Sequence, residues 1–357
     1  MVLDLTRLYY TRQLLHAKTK ANDPAEVAES ICGVNAQRGV TVYLSFWNRM
    51  HNFRKEDLDR ALYKKKILVK NWCMRGTLHI IPSSQFYMYM KATNPSYSWS
   101  VSDNFKNFCQ KILKIFDEPL TKSEIVDRIR DKTDLSEEKL PIWVSSAVRY
   151  LGYKGVIVYG KPLGKGIYIR ECRFTLAKDW LPNVDLSISE DEARKDLLLN
   201  YLSCYGPATV QDFAYWAGIR VREARSIFDS VNVQQVKIEG LKQKYYTRLG
   251  DKYNTRYEED QIVLLPQYDS YIMGHKNKSR IIEENHKSEI FLPLAVVRAT
   301  IIKNGNIIGT WKMKKNGKTL KFQVTPFKKV DESVQSEIDA EIKKITHVMG
   351  VSEYCYG

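Results

Sequence analysis

The sequence has few cysteines, and none of them is close to another. The 357 residues include six, which are Cys32, Cys73, Cys109, Cys172, Cys204 and Cys355. No pair has the C-x-x-C spacing of a zinc site, and such scattered thiols do not build a disulfide framework. Clusters of histidine or carboxylate and a phosphate-binding glycine loop are also missing. These absences predict reduced cysteines, no metal and no organic cofactor.

Long apolar runs are absent as well. No stretch approaches the roughly 18 apolar residues of a membrane span. The first ten residues carry Asp4 and Arg7 and lack the apolar core of a signal peptide. We therefore expect a soluble protein of the cytoplasm that does not bind membranes. Since no dimerisation helix is evident, a monomer is the simplest expectation.

Positive charge is what the chain has in excess. Lysine and arginine number 56 against 41 acidic residues, which gives a net charge of +15. A soluble protein this basic commonly binds a polyanion, most often nucleic acid, although a generally basic proteome is an alternative. Residues 183–260 hold 11 basic and 13 acidic side chains, whereas the other three quarters are net positive. Those three quarters are therefore expected to face phosphates.

Two stretches in the middle of the chain share one pattern. Thr121 and Glu124 in the first recur as Thr209 and Asp212 in the second, at a constant offset of 88 residues. Each threonine is predicted to cap a helix, and the acid three residues later supports the same cap. Helix, turn, helix and hairpin is the order of a winged helix, and a generic helical repeat is the alternative.

The first hundred residues fit the same plan. In DPAEVAESICG, Asp23 is predicted to cap a helix that starts at Pro24, and Gly33 is predicted to end it. A second helix, KEDLDRALYKKK, then leads to the strand-like ILVKNWCMRGTLHIIP. A third winged helix is therefore expected at the start of the chain.

The predicted hairpin KGVIVYGKPLGKGIYIRECRF is strongly basic. The region from Lys154 to Lys178 has six basic residues and one acid. Such a wing suits phosphate contacts beside a groove, although charged edge strands also serve to prevent aggregation. Its candidate DNA contacts are Lys161, Lys165 and Arg170.

The last quarter of the chain changes to a β pattern. Two Asn-Gly steps, at Asn304 and Asn316, predict tight hairpins, and we expect the meander to close into a small antiparallel β-barrel before a final helix. Seven lysines and no acid lie between Trp311 and Lys329, which makes this stretch a further candidate for phosphate contacts. The candidate residues are Lys314, Lys315 and Lys318.

These patterns together predict an α+β protein of four parts. Residues 1–100, 101–185 and 186–258 are expected to form three tandem winged-helix (helix-turn-helix) domains. Residues 259–357 are expected to form the β-barrel and its closing helix. The first domain would carry the chemistry and the second the basic wing.

Two segments of the first part carry that chemistry. CGVNAQRG places two amides, Asn35 and Gln37, between glycines, and NWCMRGTLHIIP carries Arg75, Thr77 and His79 at alternate positions of a predicted strand. Both segments resemble the AlkZ/YcaQ-type DNA glycosylases, and a likeness in LLPQYDSYIMG and NIIGTWKMKKNGKTLKFQVTPF extends the resemblance over essentially the whole chain. In that family the motif is Gln-x-Gln or Gln-x-Asp, lies at the DNA surface and positions the water that releases an alkylated base.

The resemblance implies a role for each amide. Asn35 and Gln37 would hold the water, although Asn35 is one methylene shorter than the family's glutamine, and a cap of the preceding helix is its alternative role. Gln37 matches the Gln-x-Gln subgroup, so the chain looks closer to AlkZ than to YcaQ. Arg38, next to the motif, is a further candidate DNA contact.

The other candidates have structural alternatives. Arg75 and His79 would contact phosphate or base if their strand face lines the site, and otherwise they are structural partners. Asp269, in LLPQYDSYIMG, would attract a cationic base, and its alternative is a turn or cap.

The leading hypothesis is therefore a monofunctional DNA glycosylase acting on double-stranded DNA. Its substrates would be bulky or cationic alkylated purines, with interstrand crosslinks as a further candidate. The rival is a winged-helix DNA-binding protein without catalysis, such as a transcription regulator or a resistance factor that shields DNA. A nuclease is disfavoured because the basic segments lack metal-binding carboxylates. When bound to DNA, the protein would be associated with the nucleoid.

Overall fold

The computed structural model describes residues 4–93, 101–164, 171–181, 187–253 and 261–356, and it mixes helices with antiparallel sheets. Lys165 and Arg170, two candidate contacts of the basic wing, lie outside the described residues. No helix in the described ranges has both the length and the apolar character needed to cross a membrane. The expected α+β class is confirmed.

Three times along the chain, helices precede an antiparallel pair of strands. The first part contains α1 (Leu5–Arg12), α2 (Pro24–Ser30), β1 (Val34–Asn35), α3 (Gly39–Trp47), α4 (Lys55–Tyr63), β2 (Leu68–Trp72), β3 (Leu78–Pro82) and α5 (Phe86–Thr93). The second contains α6 (Asp103–Leu113), α7 (Lys122–Ile129), α8 (Leu140–Tyr153), β4 (Ile157–Pro162), β5 (Cys172–Leu176) and α9 (Ala177–Trp180). The third contains α10 (Glu190–Tyr205), α11 (Val210–Ala217), α12 (Val221–Asp229), β6 (Val233–Val236) and β7 (Tyr245–Arg248).

The predicted helix caps are present. Asp23 Oδ1 accepts hydrogen bonds from the backbone nitrogens of Ala25 and Glu26, at 2.7 and 3.1 Å, and starts α2. Thr121 caps α7 with Glu124, and the equivalent pair caps α11, each as a reciprocal box that satisfies two backbone donors. The repeated pattern in the sequence therefore corresponds to a repeated local structure.

The strands of the first two parts form a single sheet. Its order is β1-β3-β2-β4-β5, and Lys70 of β2 lies opposite Tyr159 of β4. The sheet therefore runs across the boundary that the sequence suggested at residue 100. Helix α5 of the first part packs against α10 of the third part. The apolar faces of both helices belong to the largest hydrophobic core of the described residues.

The C-terminal part is an open sheet and not the expected closed barrel. Its elements are β8 (Ile262–Leu265), α13 (Ser270–Met273), α14 (Lys287–Ile290), β9 (Phe291–Leu292), β10 (Val296–Val297), β11 (Ala299–Lys303), β12 (Asn306–Asn316), β13 (Thr319–Pro326), α15 (Glu332–Val348) and β14 (Glu353–Tyr356). The five-stranded order is β14-β13-β12-β11-β8, which leaves β14 and β8 as separate edges.

The connection through α15 explains why the sheet stays open. The helix crossover brings β14 back parallel to β13, so β14 extends that edge and does not close the sheet onto β8. The helix covers one face of the sheet, where Ile338 and Ile342 share a core with Trp311 and Phe322. The two predicted hairpins are confirmed, with turns at Asn304–Gly305 and at Gly317–Lys318.

Candidate nucleic-acid interface and active site

A cleft of about 1170 Å³ separates the first part of the chain from the C-terminal sheet. The start of α3 and the preceding turn form one wall, and β12 and β13 form the other. Among the described residues that line it, none carries a carboxylate, whereas six are basic. The basic residues are Arg38, Lys70, Lys312, Lys314, Lys315 and Lys321. Such a cleft suits a polyanion.

Strand alternation places Lys312 and Lys314 of β12 and Lys321 of β13 on one exposed face, which we call the lysine wall. Along β12, Trp311 is buried in the core while Lys312 and Lys314 are exposed on the opposite face. The register places Lys314 opposite Lys321 of β13, and Lys312 opposite Gln323. Directly opposed like charges destabilise a sheet, and an anion bound on this face would neutralise them.

Lys70 adds a partly desolvated cation to the floor of the cleft. Its Nζ lies 4.9 Å from the centroid of the Tyr159 ring, in the geometry of a cation–π contact. Burial lowers the pKa of Lys70 below its ordinary value, with a smaller opposing effect from Cys172. No carboxylate among the described residues pairs with it. A phosphate group in the cleft would therefore stabilise its charged form.

The first turn of α3 borders the same space. Arg38 is the N-cap residue, has an extended backbone and makes no side-chain cap bond. Gly39, Val40 and Thr41, whose N–H groups have no partner within the helix, line the cleft. The positive end of the helix adds to the cationic field at this wall.

The two amides of the motif occupy different environments. Gln37 is exposed and lines the cleft. Asn35 is only 6% exposed and does not line it. The Oδ1 atom of Asn35 accepts a hydrogen bond from the Gln37 backbone nitrogen at 3.3 Å, which is a local turn bond. Asn35 does not cap the preceding helix, because α2 ends at Ser30 and its C-cap is Ile31.

The prediction that Arg75, Thr77 and His79 share one strand face is wrong. Only His79 belongs to β3, because residues 74–76 form a tight 3₁₀ turn in which Arg75 has a φ of 54°. The Nη1 atom of Arg75 donates to the Trp216 carbonyl at the end of α11, at 2.6 Å. The Thr77 hydroxyl donates to the Met74 carbonyl at 3.0 Å. The Thr77 hydroxyl therefore stabilises the turn, and the Arg75 guanidinium joins the turn to the end of α11.

His79 is buried beside the motif. It lies opposite Asn35 across β1 and β3 and is 3% exposed. Burial, followed by the charge of Arg75, lowers the pKa of His79 to about 3, so the ring is neutral at physiological pH. Its Nδ1 lies 3.1 Å from the Thr77 carbonyl, and since a carbonyl only accepts, Nδ1 carries the proton.

Asp269 is buried and does not line the cleft. Its carboxylate accepts from Arg49 at Nη2 and Nη1, at 2.7 and 2.9 Å, and from the Ser45 hydroxyl at 3.0 Å. It also caps α13 through the Tyr271 nitrogen at 2.9 Å, so the cap alternative is confirmed. This ion pair ties the end of α3 to the C-terminal part. No local pattern in the sequence identified Arg49 as the partner of Asp269.

The remaining candidates lie on exposed surfaces. Lys314 and Lys315 line the cleft, Lys318 is exposed in the β12–β13 turn, and Lys161 is exposed on β4. Lys312 and Lys321 belong to the lysine-rich stretch that was expected to contact phosphates, and the alternation in KMKKNGKTLKF could have singled them out. Lys70 was not predicted. In the described ranges, no group of three potential metal ligands is present.

Comparison with known proteins identifies the family. The family described as "DNA glycosylase AlkZ-like" matches residues 28–348. The chain belongs to this family. Its curated relative, the "Interstrand DNA cross-link repair glycosylase" of Streptomyces sahachiroi, is 25% identical over 362 residues, which cover 96% of this chain and 94% of the relative. The solved structure of the Streptomyces sahachiroi DNA glycosylase AlkZ is similar with a TM-score of 0.78 and 21% identity, over 99% and 98% of the two chains.

Membership in a family of DNA glycosylases indicates the partner of this protein. The family implies DNA as the ligand and DNA repair as the setting. The likeness of the two structures extends over nearly the whole chain, so the cleft belongs to a shared fold.

Proposed function

We propose that this protein is a monofunctional DNA glycosylase that hydrolyses the N-glycosidic bond of bulky or cationic alkylated purines in duplex DNA. The observation that carries the proposal is the exposed amide of Gln37 in a cleft whose described lining residues include six cations and no carboxylate. The relative whose printed name refers to interstrand cross-link repair makes crosslinks a candidate substrate here as well. The three helix-and-hairpin parts would act as winged helices that hold the duplex.

The chemistry fits a leaving group that is already charged. A purine alkylated on a ring nitrogen departs without a general acid, and the sugar passes through an oxocarbenium-like state. Gln37 would orient a water molecule toward the sugar carbon that loses the base, and it would present its carbonyl dipole to the developing cation. Since no carboxylate lines the cleft among the described residues, a strong general base is missing. Intrinsically stable lesions are therefore expected to be poor substrates.

We assign Asn35 and Gln37 different catalytic roles. Gln37 would contact the water, and Asn35 would fix the backbone of Gln37 through the 3.3 Å turn bond. His79, opposite Asn35, and Arg75, bound to the end of α11, would hold the motif in place. The phosphate contacts would come from the lysine wall, Arg38 and Lys70, with Lys161, Lys315 and Lys318 extending them along the duplex.

A second candidate is a DNA-binding protein without catalysis. The observation that favours it is the burial of Asn35, which leaves one amide of the motif in the cleft where the family motif supplies two polar side chains. In that case the cationic walls would shield DNA or regulate its use.

The test is single-turnover release of base from a duplex that carries one cationic N-alkylguanine. We expect release by the native protein and a loss of about a hundredfold in Gln37→Ala with DNA binding retained. Gln323→Ala is the matched control, because Gln323 is also an amide of the cleft but stands on the opposite wall. Tight binding of several cationic lesions without release would favour the non-catalytic candidate.

A further inference from the structure

A tight turn between β8 and α13 places a glutamine at the cleft. The backbone nitrogen of Asp269 donates to the Pro266 carbonyl at 3.4 Å, so Gln267 and Tyr268 are the two central residues of the turn. Gln267 is half-buried and lines the cleft together with Gln37. No described residue hydrogen-bonds with the Gln267 side-chain amide, so its donor and acceptor are available to a bound molecule.

The backbone of this turn is strained. Tyr268 has a φ of 61° and Gln267 has no positive φ, which is the pattern of a type II turn. The second central position of such a turn favours glycine, and a bulky residue is rare there. The Tyr268 ring packs against the largest core of the described residues, which fixes the direction in which the turn faces. Strain of this kind concentrates at functional sites, where it holds a side chain in place.

Buried contacts attach the turn to the wall of the cleft that contains Gln37. The Asp269 carboxylate accepts a hydrogen bond from Ser45 of α3 at 3.0 Å. The Ser270 hydroxyl donates to the Gly33 carbonyl at 3.3 Å, and Gly33 is the first glycine of the segment that carries the amide motif. Both bonds are buried and join residues more than 200 positions apart, so the fold holds the turn and the motif together.

We propose that Gln267 is a second catalytic residue of the cleft, which binds the attacking water together with Gln37 and supplies the second amide in place of Asn35. Asn35 is buried and does not line the cleft, so the motif brings one amide to it. Gln323 also lines the cleft, but it stands on β13 in the opposite wall. The inference rests on the proposed glycosylase activity.

Two amides suffice for this reaction because neither has to take up a proton. The water oxygen forms a bond to the sugar carbon while the bond from this carbon to the base nitrogen breaks. The electron pair of the broken bond neutralises the cationic base, and a proton of the attacking water passes to solvent. The carbonyls of Gln37 and Gln267 would accept the two hydrogens of the water, which directs its lone pair toward the carbon.

The test measures single-turnover base release at saturating full-length protein, from a duplex with one cationic N-alkylguanine. We expect Gln267→Ala to release base about tenfold more slowly than the native protein, with DNA binding retained. Gln267→Glu keeps an acceptor oxygen at the same place and should retain most of the rate. The double variant Gln37→Ala/Gln267→Ala should be about a hundredfold slower than the native protein, as Gln37→Ala is, because both amides hold one water. Gln323→Ala is the matched control and should release base at the native rate.

Two results would overturn the second amide while leaving the glycosylase intact. One is a native rate of base release in Gln267→Ala. The other is a loss of about a thousandfold in the double variant, since multiplied effects would show that the two amides act independently. Failure of the proposed function gives a different result, which is no base release by the native protein. That result would contradict the glycosylase and the second amide together.

Discussion

Lys314 of β12 and Lys321 of β13 lie directly opposite each other on the exposed face of the C-terminal sheet. Two like charges at such a position repel each other in the free protein. The arrangement is stable only because solvent and salt screen it, and a phosphate between the two ammonium groups would replace that screening. The relationship supports the proposal that the lysine wall contacts DNA, because a bound phosphate would relieve a repulsion that is present in the free protein.

Replacing one lysine of this pair tests two effects separately, which are the attraction for DNA and the repulsion between the two lysines. Lys321→Gln is expected to weaken duplex binding about tenfold at low salt and to reduce the slope of log Kd against log salt concentration by about one. The free energy of unfolding should rise by about 0.5 kcal/mol, because the repulsion is removed. Lys343→Gln, on the exposed side of α15, is the control and should leave the salt slope unchanged. An unchanged slope for Lys321→Gln would remove this wall from the DNA interface.

Because of Lys70, the affinity for DNA should vary with pH in the alkaline range. Burial lowers its pKa in the free protein, and a nearby phosphate raises the pKa again, so binding takes up a proton between the two pKa values. Affinity should therefore fall as the pH rises through that window. Calorimetry in two buffers of different ionisation enthalpy, repeated at several pH values below the ordinary lysine pKa, measures the proton uptake. Lys70→Gln should abolish the proton uptake, and Lys161→Gln should leave it unchanged. Uptake that persists in Lys70→Gln would show that another group takes up the proton.

His79 should contribute to acid lability. Its pKa is about 3 in the folded protein and 6.5 in the unfolded chain, so the unfolded state binds more protons between these values. Stability is complete above pH 6.5 and decreases as the pH falls toward 3, by about 2 kcal/mol at about pH 5 from this residue alone. Urea unfolding at several pH values measures the slope, which His79→Gln should reduce. His51→Gln, at an exposed position, should not change it.

The Arg49–Asp269 pair should stabilise the fold without taking part in DNA binding. Asp269→Asn leaves a fully buried guanidinium without its counter-charge, which is expected to cost about 3–5 kcal/mol. The more exposed Arg12–Asp251 pair is the control, and Asp251→Asn should cost about 1 kcal/mol or less. The folded Asp269→Asn protein should bind duplex DNA as the native protein does. Equal costs for the two variants would contradict the assignment.

Local signals in the sequence predicted local structure well. Capping residues at Asp23, Thr121 and Thr209 determine where helices start, and Asn-Gly steps determine turns, because both act through neighbours in the chain. The run of lysines without acids between residues 311 and 329 identified the basic segment that β12 and β13 bring to the cleft.

Features that depend on long-range packing were not predictable from these patterns. The turn at Arg75 interrupts an apparently regular strand because α11 offers its carbonyl end to the guanidinium. Asn35 is buried because β1 joins the sheet beside His79, which no local signal reveals. The open C-terminal sheet depends on the parallel return of β14, and the Arg49–Asp269 pair joins residues 220 positions apart.

The most direct test of the central claim is base release by native protein and Gln37→Ala at saturating protein, from one duplex with a cationic N-alkylguanine. The claim is that Gln37, exposed in a cationic cleft, orients the attacking water. We predict that the native protein releases free base in a single turnover and that Gln37→Ala binds equally well but releases it about a hundredfold more slowly. Equal rates for the two proteins would contradict the claim.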